Sequence, residues 1–312
     1  MYHLIEQKLQ TGAVIILDGG TGTSLEQRGV PMSNEVWCAQ ANLSHPEVVR
    51  AVHADYIRAG AQVITANTFA TSPLIFDFHG RAAEIAAIDR IAINLAREAR
   101  NQTASGPVAI AGSFSTMRPI TPDSDRTQTQ HEWTPEAARD LMRRKAEGLA
   151  EARCDLILME MMRDLDYSLM AVEAATATGL PVWVGIAVER NADGELVGFG
   201  RNDWRLRDIV SALMSTGAKV CSVMHTSPNN TAEALDIVKE RWNGPLGAYP
   251  ESGFFKMPGW QFVDVVSPDD LVGFARAWQR KGVTLFGGCC GIGPDHIKAL
   301  AKALPPHGEA RR

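Results

Sequence analysis

The chain has 312 residues, 45% of them hydrophobic and 21% charged, with a formal net charge of −5. This length and balance suit one large globular domain or two small ones, and they exclude a basic nucleic-acid surface and a bilayer-spanning segment. Five cysteines are few and odd in number, which argues against a disulfide framework and for a reducing, cytoplasmic setting where cysteines are buried, metal-binding or catalytic. The first residues, through Gln10, carry Glu6 and Lys8 without an apolar core and do not read as a signal peptide.

Eight short apolar runs follow in chain order: Val14–Leu17, Val63–Ala66, Val108–Ala111, Leu156–Met159, Val182–Ala187, Val220–Met224, Leu246–Tyr249 and Val283–Phe286. Their length and near-continuous hydrophobicity predict strands buried on both faces of a parallel sheet. The stretches between them read as helices. Ser44-His45-Pro46-Glu47 predicts a capping box, followed by a stripe of Val48, Val49, Val52 and Tyr56. Thr134-Pro135-Glu136 opens a helix ending near Ala152. Ser267-Pro268 opens one with Leu271, Phe274 and Trp278 on one face, and Gly293-Pro294-Asp295 starts the last. Eight β–α units predict a single-domain (β/α)8 TIM barrel over residues 1–304, with 305–312 a disordered tail. An open doubly wound sheet is the rival.

Polar residues cluster just after the strands: Asp18, Asn67 and Thr68, Ser113, Glu160, His225, Glu251, and Cys289 with Cys290. Barrel enzymes build their sites at these C-terminal strand ends, so the distribution points to an enzyme. Two long segments, 113–133 and 189–204, are expected to be lids or surface insertions.

The vicinal pair Cys289-Cys290 lies between Gly287-Gly288 and Gly291 at the tip of the last strand. Two thiolates flanked by glycines suit a soft metal ion such as Zn2+, which needs about three protein ligands in a catalytic site. Cys221 and His225 both belong to the sixth run. At about 3.3 Å per residue they lie ~13 Å apart along a strand, so one ion cannot take both. His225, past the strand end like the cysteine pair, is the expected third ligand. Cys221, Cys38 and Cys154 are expected to be core.

These motifs resemble the homocysteine S-methyltransferase family. The resemblance runs through Ile16-Leu17-Asp18-Gly19-Gly20-Thr21-Gly22-Thr23, Thr65-Ala66-Asn67-Thr68-Phe69, Asp155 through Glu160, Tyr249-Pro250 with Ser252-Gly253, and Gly287-Gly288-Cys289-Cys290-Gly291 with Pro294-Asp295-His296-Ile297. It implies a barrel with a zinc ion on three thiolates, where the thiolate of homocysteine attacks a methyl group on a sulfonium or ammonium donor to give methionine. Metal-bound thiolate at neutral pH is the physical basis. By the same resemblance Glu160 pairs with the substrate's α-ammonium group, Asp18, Gly19 and Gly20 form the floor under substrate, and Thr68 supplies a hydroxyl. Glu251 adds negative charge that would attract a cationic donor.

Three departures stand out. Where the family has an Asn-Cys pair before a proline, this chain has Met224-His225. Met161 and Met162 replace a small hydroxyl residue, and Glu251 replaces an asparagine. Three thiolates and a substrate thiolate leave zinc at about −2, whereas an imidazole in place of one leaves about −1 and a less nucleophilic sulfur. The expected reaction is therefore zinc-dependent methylation of homocysteine by a small, well-activated sulfonium such as S-methylmethionine or S-adenosylmethionine. Another thiol or donor, or a zinc hydrolase or lyase on the same barrel, is the alternative. The partners expected are an amino-acid thiol and a methyl donor, with no nucleic acid and no membrane; nothing in the sequence indicates the oligomeric state.

Overall fold

A computed structural model describes residues 1–119, 131–256 and 261–304. Its strands are β1 (Ile15–Ile16), β2 (Val63–Ala66), β3 (Ala109–Ser115), β4 (Leu156–Met162), β5 (Val182–Arg190), β6 (Leu196–Gly198), β7 (Arg201–Arg205), β8 (Val220–Met224), β9 (Leu246–Tyr249), β10 (Phe254–Lys256), β11 (Gln261–Val263) and β12 (Val283–Phe286). Eight of them pair in parallel in the order β1-β12-β9-β8-β5-β4-β3-β2. A parallel bridge between Leu17 and Val63, with the Asp18 amide donating to the Val63 carbonyl at 3.1 Å, joins the two ends of that order. The eight expected strands are thus the staves of a TIM barrel, and the open-sheet alternative is excluded.

Alternation along the staves separates two apolar layers. Ile15, Leu17, Val63, Ala109, Ala111, Leu156, Leu158, Trp183 and Leu285 belong to an inner cluster. Val14, Ile16, Ile64, Ile110 and Ile157 face the helices instead. This is the period of two that a closed barrel requires. The helix Tyr2–Thr11 joins the inner cluster through Ile5 and Leu9, and Tyr2 accepts a hydrogen bond from Trp183 Nε1 at 3.2 Å. It stops the N-terminal end of the barrel, leaving the other end for a site. Among the described residues no helix is long and apolar enough to cross a membrane.

Thr134 and Ser267 cap the helices Pro135–Glu151 and Pro268–Arg280 as expected, each hydroxyl accepting from a backbone amide. The capping box at Ser44 does not form. Ser44 still belongs to the short helix Ala41–Ser44 and donates to the Gln40 carbonyl, so His45 stands at the N-cap of Pro46–Ala59, its ring bonded to Ser44 Oγ at 2.8 Å and not to a helix amide.

The expected ends of β3, β4 and β5 fall short. Each strand runs three or more residues further, into Ser113–Ser115, Glu160–Met162 and Val188–Arg190. Segment 189–204 is largely paired backbone. β5 turns back into β6, which pairs antiparallel with β5 and β7. Of the other long segment, 120–130 lie outside the described residues, as does the tail 305–312.

Candidate metal centre and substrate cavity

Three residues converge at the strand ends. His225 follows β8, and Cys289 and Cys290 follow β12. Their ligand atoms all lie within 4.8 Å of one another. Cys289 Sγ is 3.6 Å from His225 Nδ1 and 4.0 Å from Cys290 Sγ. Zinc bonds of about 2.0–2.3 Å in a tetrahedron set ligands roughly 3.3–3.8 Å apart, so this donor set fits a soft divalent metal after small adjustments. The thiol turn is held by its neighbours: the Cys289 amide donates to the Pro250 carbonyl at 2.8 Å, and the Ser252 amide to the Cys290 carbonyl at 3.0 Å. Glu251 lies between these two anchors and meets His225 Nδ1 at 2.9 Å.

Cys221 is fully buried within β8, paired beside Val184 and Leu246, and burial pushes its thiol up to about 12. It takes no part in the cluster. Cys38 and Cys154 are buried and pushed up to about 12 for the same reason.

Backbone irregularity aims these side chains. Of the five non-glycine residues with positive φ among the described residues, Trp37, Met161 and His225 line one cavity. Glu160 keeps the inward phase of Leu156 and Leu158, and the β4–β5 register shift between Met159 and Met162, a bulge, brings Met161 to the same side. Gly20 is needed for close approach: a Cβ there would sit 2.6 Å from the Cys289 carbonyl oxygen, so a larger residue would push the first turn off the thiol turn.

The cavity holds about 310 Å3. Its polar side carries Asp18, Glu160, Glu251, His225 and the two cysteines, and its apolar side Trp37, Phe69, Met117, Met161, Met224 and Phe199. Phe199 sets its ring edge against His225, with centroids 4.8 Å apart. Burial lifts the Asp18 carboxyl to about 7, although the Thr65 amide and hydroxyl donate to it at 2.6 and 2.8 Å. Burial likewise lifts Glu160 to about 7; a hydrogen bond from Ser113 Oγ works the other way. Both carboxyls are thus held closer to neutrality than in water, and a cation beside them would favour their charged forms. At His225 burial works against the charged ring, but Glu251 and the Cys289 sulfur outweigh it and lift the group to about 10. The Cys289 thiol is pushed up, first by its contact with Cys290 and then by burial. A divalent ion would reverse that balance, since coordination deprotonates a thiol.

Asp18, Gly19, Gly20, Glu160, His225, Glu251, Cys289 and Cys290 thus all line one cavity, as their positions after the strands suggested. Thr68 does not. Its hydroxyl donates to the Ser113 carbonyl at 2.9 Å, which fastens the loop after β2 to β3, and the side chain is fully buried behind Phe69 and Asn67. Sequence reasoning missed Thr65, which holds Asp18, and Phe199. Thr65 sits inside an apolar run with only its hydroxyl as a signal, and Phe199 lies in a segment without periodicity.

Comparison with known proteins places these features in a family. A family model described as homocysteine S-methyltransferase matches residues 15–304. The chain is 27% identical to betaine–homocysteine S-methyltransferase 1 of Xenopus laevis over 96% of its length and 75% of that protein. It is 28% identical to the homocysteine S-methyltransferase of Escherichia coli, over 92% of this chain and 94% of that protein. The metallated form of the E. coli homocysteine methyltransferase MmuM superposes with a TM-score of 0.76 at 26% identity, covering 96% of this chain and 98% of that one.

Proposed function

This chain belongs to the homocysteine S-methyltransferase family and is an enzyme of the methyltransferase class, and we propose that it uses zinc on His225, Cys289 and Cys290 to methylate homocysteine from a small sulfonium donor. The observation that carries the reading is the convergence of these three ligands beside Glu160 and Asp18 in one cavity. Zinc, when bound, would hold the substrate sulfur as a thiolate at neutral pH.

The chain's own residues do the rest. Glu160 and Asp18 offer negative charge to the α-ammonium group of the acceptor, and each carboxylate is oriented by a fixed donor, Ser113 or Thr65. That places the acceptor's sulfur end toward His225 and the cysteines. The apolar wall of Trp37, Phe69, Met117 and Phe199 excludes water from the donor's methyl group and aligns it for in-line attack. Replacing a thiolate by His225 lowers the electron density on the bound sulfur, which favours a sulfonium, a better leaving group than an ammonium. The same departure supports a second reading in which the acceptor is a thiol other than homocysteine.

The test is a methyl-transfer assay of the zinc-loaded protein, crossing homocysteine and related thiols with S-methylmethionine, S-adenosylmethionine and glycine betaine. Methionine formed from homocysteine and a sulfonium supports the reading. Transfer confined to betaine, or to no thiol, contradicts it. Cys289→Ala, Cys290→Ala and His225→Ala should each lower zinc content and activity together, while Cys221→Ala should keep its zinc.

A further inference from the structure

Behind the apolar wall lies a buried knot of charge that the reaction itself does not use. Asp164, four residues past Glu160 and 1% exposed, accepts from two guanidinium groups on the same oxygen: Arg118 Nη2 and Arg201 Nη1, each at 3.0 Å. Its other oxygen accepts from the Tyr167 amide at 3.1 Å and the Ser168 amide at 3.4 Å, at the start of the helix Ser168–Ala177. Arg201 also binds Asp166 at 2.8 Å and Asp203 at 2.6 Å, and Arg118 lies over the Tyr167 ring at 5.3 Å. Asp166 and Asp203 are exposed, but both partners of each Asp164 pair are at most 13% exposed, which leaves those two pairs little screened by solvent.

The three elements tied here are three walls of the cavity. Arg118 follows Met117 at the end of the described part of the loop after β3. Asp164 follows Met161 and Arg163 on the loop after β4. Arg201 opens β7, two residues past Phe199. Met117, Met161, Arg163 and Phe199 all line the cavity. The contact between the second and third walls is tight: a Cβ on Gly198 would sit 1.7 Å from the Arg163 carbonyl oxygen, so the ribbon lies directly on that backbone. The Phe199 amide donates to the Ala187 carbonyl at 2.9 Å, which orients the ring toward His225.

The geometry points to Asp164 as a positioning residue: its carboxylate fixes the β6–β7 ribbon, the loop after β4 and the segment ending in Met117 and Arg118 as one rigid wall, and so holds Phe199 against His225 while substrates bind. Segment 189–204, which by length alone would be a lid, is by this account clamped rather than gating. The inference deepens the proposed reaction and rests on it for the identity of the substrate.

The experiment uses the zinc-loaded full chain and two variants, Asp164→Asn and Arg201→Met. Arg201→Met keeps the aliphatic stem and releases the ribbon alone, so it reports even if Asp164→Asn fails to fold. Amide hydrogen exchange should accelerate at Val197 to Phe199 while β4 and β8 keep their protection. Zinc content should stay at the wild-type level. KM for the sulfonium donor S-methylmethionine should rise about tenfold with kcat changed less than about twofold, the pattern of lost ground-state positioning. Unchanged exchange in the ribbon overturns the inference, and so does faster exchange with unchanged KM. If the wild-type protein transfers no methyl group, the proposed reaction fails. Exchange together with calorimetric binding of S-methylmethionine then decides the inference by the same comparison, with ribbon loosening and weaker binding supporting it and unaltered exchange or affinity overturning it.

Discussion

Glu160 and Asp18 are stored at a cost to the fold. Asp18 is fully buried and Glu160 half-buried, and each has its carboxyl lifted to about 7. For Glu160 the folded value lies above the unfolded one, so stability is greatest at low pH and is lost as pH rises from the ordinary carboxylate range through about 7. The difference is on the order of 3 kcal/mol once both states are ionised. Glu160→Gln should therefore raise the Tm of the metal-free protein at pH 8, with a much smaller gain at pH 5, while abolishing tight binding of an ammonium-bearing acceptor. Calorimetric melts at the two pH values check this; an equal or opposite effect at both would refute the burial account. The left-handed conformations of Met161 and His225 add strain of the same functional kind. None of this was legible in the sequence, where residue type after a strand indicated that Glu160 and His225 would meet, but not the bulge that brings Met161 in beside Glu160 or the positive φ of Met161 and His225. Thr68 shows the limit clearly. A hydroxyl one residue past Asn67 looks equally suited to substrate, and only the ladder partner across β3 shows that its bond is spent on the Ser113 carbonyl.

Single elements are secured by polar ties behind the site. The loop after β2 carries Asn67, Phe69 and Ala70 into the cavity and is held from outside by Lys145 on the helix Pro135–Glu151. Lys145 is fully buried, lies 2.7 Å from Asp89, and donates to Thr71 Oγ1 at 2.7 Å and to the Thr68 carbonyl at 3.2 Å. Breaking a buried pair by removing one partner leaves an uncompensated charge, so Lys145→Met should lower stability by about 3–5 kcal/mol. The double variant Lys145→Met/Asp89→Leu should recover a large part of that loss. Denaturant unfolding of the two proteins measures it, and a double variant as unstable as the single one would contradict the desolvation argument. Helix starts with Ser or Thr before proline were readable because the cap is a local bond. The Ser44 cap was misread because a preceding helical turn claimed the same residue. The ends of β3, β4 and β5 were missed because the strands continue into Ser113, Glu160 and Val188, where cavity and ribbon, rather than hydrophobic burial alone, choose the residues.

At the scale of the whole molecule, the barrel turns eight separated strand ends into one wall, and the chain's chemistry follows from which residues stand there. Parallel strands buried on both faces leave a strong hydrophobic signature, and the chain order of the staves follows from right-handed β–α connections, so the architecture was legible almost entirely. The ribbon β6–β7 was not, because its pairing partner is the polar end of β5. The family relationship fixes the class of reaction, while the proposed choice of donor rests on His225, which faces Glu251. The most direct test of the account is X-ray absorption at the zinc edge, with and without homocysteine. Two sulfur ligands with one imidazole are expected in the resting protein, and three sulfurs with the imidazole retained when homocysteine is added. Three sulfurs in the resting protein, or no added sulfur with homocysteine present, would contradict it.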